Sequence, residues 1–195
     1  LPGDEDALVG KVGFPLIVKP RTGARSIGVS QVFDREQLAR AIATTVDPVI
    51  QECVADQDAE YTAGTLCFDG ACRAAIVMRR DLRDGNTYRA FVERSPELEA
   101  QVRAFADVLQ AHGPANFQFR TSGGIARVFE INARFSGTTP LRAHAGFNEV
   151  ALCLRRLVEG RAVEQPEVRD VTILRHWSET IVAADEPAPH RVSDA

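Results

Sequence analysis

The chain has 195 residues, 45% of them hydrophobic and 26% charged, ordinary proportions for a globular protein and enough length for one or two small domains with a real core. Its net charge of −4 argues against nonspecific binding to nucleic acid, which needs a basic face. No apolar run has the length of a membrane span, and no signal peptide is visible.

Residues 14–20, "FPLIVKP", read as a short strand closed by Lys19 and Pro20, because proline cannot continue a ladder. "RTGARSIG" follows as a loop with two glycines and two arginines, and "VSQVF" as a second strand. Asp34 with Gln37 three residues on predicts a capped helix start. Leu38, Ala41, Ile42 and Thr45 then line one side of that helix.

"PVIQECV" (48–54) reads as a strand running into the polar turn "ADQDAE". "YTAGTLCF", Asp69-Gly70 and "ACRAAIVM" read as a hairpin. Residues 79–94 are charged and show no clean period, which predicts a surface loop. Arg79, Arg80, Arg83 and Arg89 within it suit an anionic acceptor, with plain solvation as the competing reading. Ser95-Pro96 opens a helix with proline at its first position. Leu98, Val102, Phe105 and Leu109 line that helix, and Gly113 is expected to end it.

"ANFQFR" and "ARVFEINARF" read as paired strands around "TSGG". A last helix, "NEVALCLRRLVEG", presents Val150, Leu154, Leu157 and Val158, and after a Pro-containing link "VTILRHW" is a further strand candidate. This order of elements predicts an α+β fold with largely antiparallel sheets. Four cysteines, Cys53, Cys67, Cys72 and Cys153, form no CxxC pair, so buried thiols in a reducing cytoplasm are expected rather than zinc. The histidines at 112, 144, 176 and 190 are scattered and carry no pattern.

The most informative stretch is "VFEINARFSG", residues 128–137. Alternation places Glu130, Asn132 and Arg134 on one face of a strand and Ile131, Ala133 and Phe135 on the other. A solvated sheet face explains most such rows, but asparagine has no packing reason to sit in a strand. A carboxylate and an amide oxygen are hard ligands for Mg²⁺, and a nearby arginine can hold phosphate. If the two strands pair about Gly124, Gln118 falls beside Glu130 and adds a second amide oxygen. Lys19 and its glycine-containing loop supply cationic and backbone N–H groups of the kind that cradle phosphate.

Together these stretches resemble an ATP-grasp domain, nearest to the ATP-binding lobes of the carbamoyl-phosphate synthase large chain, over roughly residues 8–160. "GFPLIVKPRTGARSIGV" is similar to the family's first strand and phosphate loop, "VIQECV" to its hinge strand, and "ANFQF" with "FEINARFSGTTPL" to its Mg²⁺ signature. The resemblance implies an ATP-grasp fold of two α+β subdomains with ATP held between them. It implies that Lys19 holds phosphate oxygens and that the loop with Thr22, Gly23, Ser26 and Gly28 folds over them. Gln51, Glu52 and Val54 would meet the adenine and Glu60 the ribose. Gln118, Glu130 and Asn132 would ligate Mg²⁺, or Mn²⁺ in its place, and Arg134 would sit beside the transferring phosphoryl group as the catalytic residue.

The implied reaction is ATP-dependent activation of a carboxylate as an acyl phosphate for attack by an amine or similar nucleophile. A non-catalytic or regulatory nucleotide-binding lobe of a larger protein is the alternative. The family normally carries another domain first, and this chain begins at Leu1 rather than Met, so an N-terminally truncated ligase core is expected. Its expected parts are residues 1–52 with the phosphate loop, 53–162 with the metal site and 163–195 as an extension. Expected partners are small-molecule acid and amine substrates and the missing N-terminal domain, with a homodimer left open; no nucleic acid or membrane is expected. The expected location is the cytoplasm.

Overall fold

Leu16 and Val18 are fully buried, while Ile17 and Lys19 between and after them are partly exposed, the alternation of a strand with one face on a core. The computed structural model describes residues 4–23, 26–54 and 59–176. Through them run α1 (Glu5–Val12), β1 (Leu16–Pro20), β2 (Ser30–Val32), α2 (Arg35–Thr44), β3 (Pro48–Glu52), β4 (Glu60–Phe68), β5 (Ala71–Arg83) and β6 (Asn86–Val92). These are followed by α3 (Pro96–Val108), β7 (Gly113–Ser122), β8 (Ile125–Asn132), α4 (Thr139–His144), α5 (Glu149–Glu159) and β9 (Val171–Leu174). Two sheets result, one ordered β2-β1-β3 and one ordered β8-β7-β4-β5-β6-β9. All their described pairings are antiparallel, as the α+β expectation requires. No described helix is long and apolar enough to cross a membrane.

The small sheet buries Leu16, Val18, Val32 and Ile50 against Leu38 and Ala41 of α2. The start of α2 is as predicted, with Asp34 accepting from the Gln37 amide over 2.8 Å. Gln37 Oε1 in return accepts from Phe33 N over 3.1 Å. Helix α1 was not anticipated, because its eight residues include Gly10 and bury none of their side chains. Leu8, Val9 and Val12 only pack against the edge of the same core.

In the large sheet, β4 pairs with β5 and β7 so that Ala63, Val77 and Phe117 face α3. Leu66, Ile76 and Met78 on the other face meet Leu141, Phe147 and Cys153 from α4, α5 and the loop between them. The Asp69-Gly70 turn has both residues at positive φ, 53° and 73°, the two-residue geometry that matches strand twist.

Three expectations are corrected here. Residues 79–94 are not a loop: β5 continues to Arg83, and β6 returns after a second Asp-Gly turn at Asp84-Gly85. The period was hidden by a bulge between Asp81 and Leu82. It was hidden too by arginines that cover aromatic rings, with Arg79 lying 3.7 Å from the Phe91 centroid and Arg83 4.5 Å from that of Tyr88. Such cations bury ring faces while their charge stays wet.

Helix α3 stops at Val108, and Gly113 opens β7 rather than closing the helix. Ala106, not the half-exposed Leu109, completes its buried stripe with Leu98 and Val102. On α5 the predicted face of Val150, Leu154, Leu157 and Val158 is exposed. Glu149 and Cys153 turn inward instead, with Leu152 packed beside them, because Glu149 has a buried partner described below. The strand expected at "VTILRHW" is present as β9, paired with β6. Residues 24–25 of the phosphate loop, 55–58 of the polar turn and 177–195 of the tail lie outside the described residues.

Candidate functional site

Paired positions in an antiparallel sheet share a face. Arg80, Glu60 and Arg120 pair across β5, β4 and β7. The next same-face set is Thr62, Gln118 and Glu130, and the one beyond it is Gly64, Asn116 and Asn132. One face of the sheet therefore carries a continuous polar band from β5 to β8. Gln118 stands opposite Glu130 as expected, and the register slips by one immediately afterwards, where Phe119 faces Val128. Phe129 is the extra residue of that bulge.

Gln118 Nε2 and Asn132 Nδ2 both donate to Glu130 Oε1, over 2.8 and 2.7 Å. Their amide oxygens face arginines: Gln118 Oε1 accepts from Arg80 Nη2 over 2.6 Å, and Asn132 Oδ1 from Arg134 Nη2 over 3.1 Å. Arg134 is displaced from the expected row. The strand ends at Asn132, and Arg134 lies in the following bend, exposed, with Nη1 donating to Phe135 O over 2.9 Å. Ile131 and Phe135 are 48% and 37% exposed, since β8 is an edge strand with little to cover it.

The small sheet reaches this band through Lys19. Its Nζ donates to Phe129 O over 2.5 Å and lies 5.8 Å from the Phe129 ring centroid. Burial pushes the Lys19 ammonium below its ordinary pKa, and the Glu130 carboxylate draws it partway back. Thr22, Gly23, Ser26 and Gly28 are exposed in the connection from β1 to β2. Ser26 and Gly28 have φ of 58° and 75°, and a Cβ on Gly28 would come within 3.0 Å of the Pro20 ring. Glycine is thus needed where this loop folds back on the strand.

Gln51 pairs with Ile17 inside the small sheet, while Glu52, the last residue of β3, is exposed. Val54 O accepts from Arg120 Nη1 over 3.2 Å. Glu60, with 15% of its side chain exposed, is held by Arg80 over 2.7 Å and Arg120 over 3.2 Å. Of the four arginines read as candidates for an anionic acceptor, Arg80 joins the band. Arg79 and Arg89 pair with Glu93 and Asp81 on the other face of the hairpin. A cavity of about 350 Å³ lined in part by Ala75, Val92, Glu93 and Gln165 lies away from the band.

Sequence reasoning passed over Thr62, Asn116, Arg120, Arg142 and Glu149. Arg142 and Glu149 have side chains only 1% and 2% exposed, and Arg142 Nη1 donates to Glu149 Oε1 over 2.6 Å. Burial pushes the Arg142 guanidinium down from its ordinary pKa, and Glu149 opposes that. The available signal was Gly64 in the interior of a strand, which marks a close approach by another group. A Cβ there would fall 2.0 Å from Glu149 Oε1.

The donor set fits a hard divalent cation. Glu130 Oε2 has no hydrogen bond among the described residues, and two amide side chains adjoin the carboxylate. No described group of three His, Cys, Asp or Glu could hold a metal. A carboxylate beside two amides is a donor set of the kind Mg²⁺ uses, with one or two carboxylates and the remaining positions left to waters and substrate phosphates.

The sequence matches the family model described as "ATP-grasp in the biosynthetic pathway with Ter operon" over residues 49–180. It is 28% identical over 139 residues to D-alanine–D-alanine ligase of Bacillus anthracis, covering 63% of this chain and 44% of that protein. It is 23% identical over 188 residues to the carbamoyl phosphate synthase large chain of Pasteurella multocida, covering 88% and 17%. The chain thus spans less than half the length of these relatives. Among solved structures it resembles N5-carboxyaminoimidazole synthetase from Staphylococcus aureus complexed with ADP, with TM-score 0.64, 17% identity, and 85% of this chain and 47% of that one covered. It also resembles the biotin carboxylase domain of Hydrogenobacter thermophilus 2-oxoglutarate carboxylase in complex with MgADP, with TM-score 0.66, 14% identity, and 87% and 42% covered. These likenesses show the fold.

Proposed function

The chain belongs to the ATP-grasp family and has its fold, and we propose on that footing that it is the nucleotide-handling core of an ATP- and Mg²⁺-dependent ligase joining a carboxylate to an amine or similar nucleophile. The observation that carries the reading is Glu130 flanked by Gln118 and Asn132, with Lys19 arriving at the neighbouring Phe129 carbonyl from the other sheet. One carboxylate, two amides and a lysine thus meet between two sheets, where a nucleotide's phosphates need both a cation and N–H donors. The relatives named as ligases and the neighbours complexed with ADP or MgADP support it.

In this reading Lys19 and the loop of Thr22, Gly23, Ser26 and Gly28 bind the phosphates. Gln51, Glu52 and Val54 lie against the adenine, and Glu60 holds the ribose. Gln118, Glu130 and Asn132 would hold Mg²⁺, which would supply positive charge to screen the phosphoryl oxygens. Using the amide oxygens requires those amides to turn, releasing Arg80 and Arg134 from them. Arg134 is then free to place its planar fork on two phosphoryl oxygens. A carboxylate oxygen of the acid takes the γ-phosphoryl group from ATP and ADP leaves; the amine nitrogen then bonds to the acyl carbon, expelling phosphate and losing a proton. Positioning and charge, not a protein nucleophile, do this work.

The parts 1–52 and 53–162 are proposed as phosphate-loop subdomain and metal-site subdomain, supported by the separation of the sheets between Glu52 and Glu60, and 163–195 as an extension whose β9 joins the large sheet. Small acid and amine substrates, a preceding domain of the parent protein and a cytoplasmic location belong to the same proposal. A regulatory, non-catalytic lobe is the second reading, favoured by the hold of Arg80 and Arg134 on both amide oxygens. Release of ADP by the parent protein, dependent on an added acid and amine, tests the choice. Tight Mg²⁺-ATP binding with no such release across acid and amine libraries overturns the catalytic reading in favour of the second.

A further inference from the structure

Burying a salt bridge is a weak route to stability, because desolvation offsets the attraction and an apolar replacement is often neutral or better. The Arg142–Glu149 pair therefore calls for an explanation in what it holds. On one side Arg142 Nη2 donates to Asn116 Oδ1 over 2.5 Å and to Thr62 Oγ1 over 3.0 Å. Asn116 stands directly opposite Asn132, the last residue of β8. On the other side Glu149 Oε2 accepts from Thr139 Oγ1 over 2.5 Å. Thr139 Oγ1 accepts in turn from the Ser136 amide over 3.2 Å, and the Thr139 amide donates to Ser136 O over 3.0 Å.

Between those anchored ends, Asn132 and Thr139, runs the turn that carries the exposed Arg134. The pair touches the partner of its first residue and the side chain of its last. Gly64 leaves the space in which the pair lies across β4. We propose that Arg142 and Glu149 are positioning residues for Arg134, a buried brace that fixes both ends of the 133–138 turn. The inference rests on the reading in which Arg134 meets the transferring phosphoryl group, but the brace can be tested without it.

The first test is hydrogen exchange on the full chain, comparing Glu149→Gln with the unaltered protein. Exchange in a peptide covering residues 133–139 should rise about tenfold or more, while β4 and β5 stay protected, since local opening is separable from global unfolding. Should Glu149→Gln not fold, Arg142→Met with Glu149→Leu removes both charges and should show the same local loss. Unchanged exchange in the turn, or an equal rise throughout the chain, overturns the brace.

The second test is kinetic, on the parent protein. Glu149→Gln should lower kcat about tenfold with the KM for ATP unchanged, the expected cost of misplacing a catalytic group. In an Arg134→Lys background the same change should cost less than about twofold, because coupled residues are non-additive. Equal losses in both backgrounds overturn action through Arg134. If Arg134→Lys leaves kcat untouched while the turn still loses protection, the brace stands and the catalytic role of Arg134 falls.

Discussion

Gln118 and Glu130 stand directly opposite each other across β7 and β8, and the amide nitrogen of one donates to the carboxylate of the other over 2.8 Å. A one-residue slip in either strand would put Gln118 and Glu130 on opposite faces of the sheet. The bulge sits just past the pair, so the slip in register leaves this contact intact.

Glu130→Gln should keep the fold and lose the metal. The side chain is only partly buried, and substitutions outside the core usually change stability by about 0.5 kcal/mol. Binding of Mn²⁺ in the presence of ATP, followed by titration calorimetry, should weaken about tenfold or more, since Glu130 is the one anion among the three proposed ligands. Undiminished binding would remove Glu130 from the metal site.

Lys19 and Arg134 should separate in steady-state kinetics. Lys19 already reaches the Phe129 carbonyl from the small sheet, so Lys19→Ala should chiefly raise the KM for ATP. Arg134→Lys keeps the charge and loses the fork, and it should chiefly lower kcat, by about 10²–10³ for one lost transition-state donor. A change in KM alone for Arg134→Lys would make it a binding residue.

Gly64→Ala should be costly for so small a change. Its Cβ would meet Glu149 Oε1 at 2.0 Å and Arg142 Nη1 at 2.4 Å, and neither side chain has open space to retreat into. Overpacking of this kind costs about 1–3 kcal/mol, readable as a lowered urea midpoint. A midpoint equal to that of the unaltered chain would mean that the pair can shift aside freely.

Stability should drain away on the alkaline side partly through Cys153. Burial pushes its thiol above the ordinary value of 9.0, and Glu149 adds to the effect. Below that value the thiol is protonated in both states, and nothing is lost. Above it the unfolded chain releases its proton before the folded one does, so stability falls as pH rises toward the folded value. Urea melts at pH 8 and pH 10 should show a smaller loss for Cys153→Ala than for the unaltered chain. Cys72, also raised, is present in both proteins and cancels. An equal loss in both would show that Cys153 titrates as it does in water.

What could be read from residues alone was whatever a short window decides. A short apolar run closed by proline placed β1, alternation about Gln118 placed β7, and the Asp34 and Gln37 spacing placed the start of α2. The glycine turn at 123–124 set the β7–β8 pairing closely enough to bring Gln118 to Glu130, because a tight turn leaves few registers available. The fold class and the carboxylate–amide cluster followed from these local facts.

Other features depended on residues distant in sequence. Arginines over aromatic rings made β6 look like a loop. Arg134 left the row because β8 ends one residue after Ile131. Arg80 and Arg120 converge on Glu60 from strands 20 and 60 positions away. Arg142 and Glu149 carry no signal in their own windows, and the space they occupy is left by Gly64, 78 and 85 residues earlier. Burial of a charge is set by which groups the assembled sheets and helices bring around it, so no window of sequence contains it.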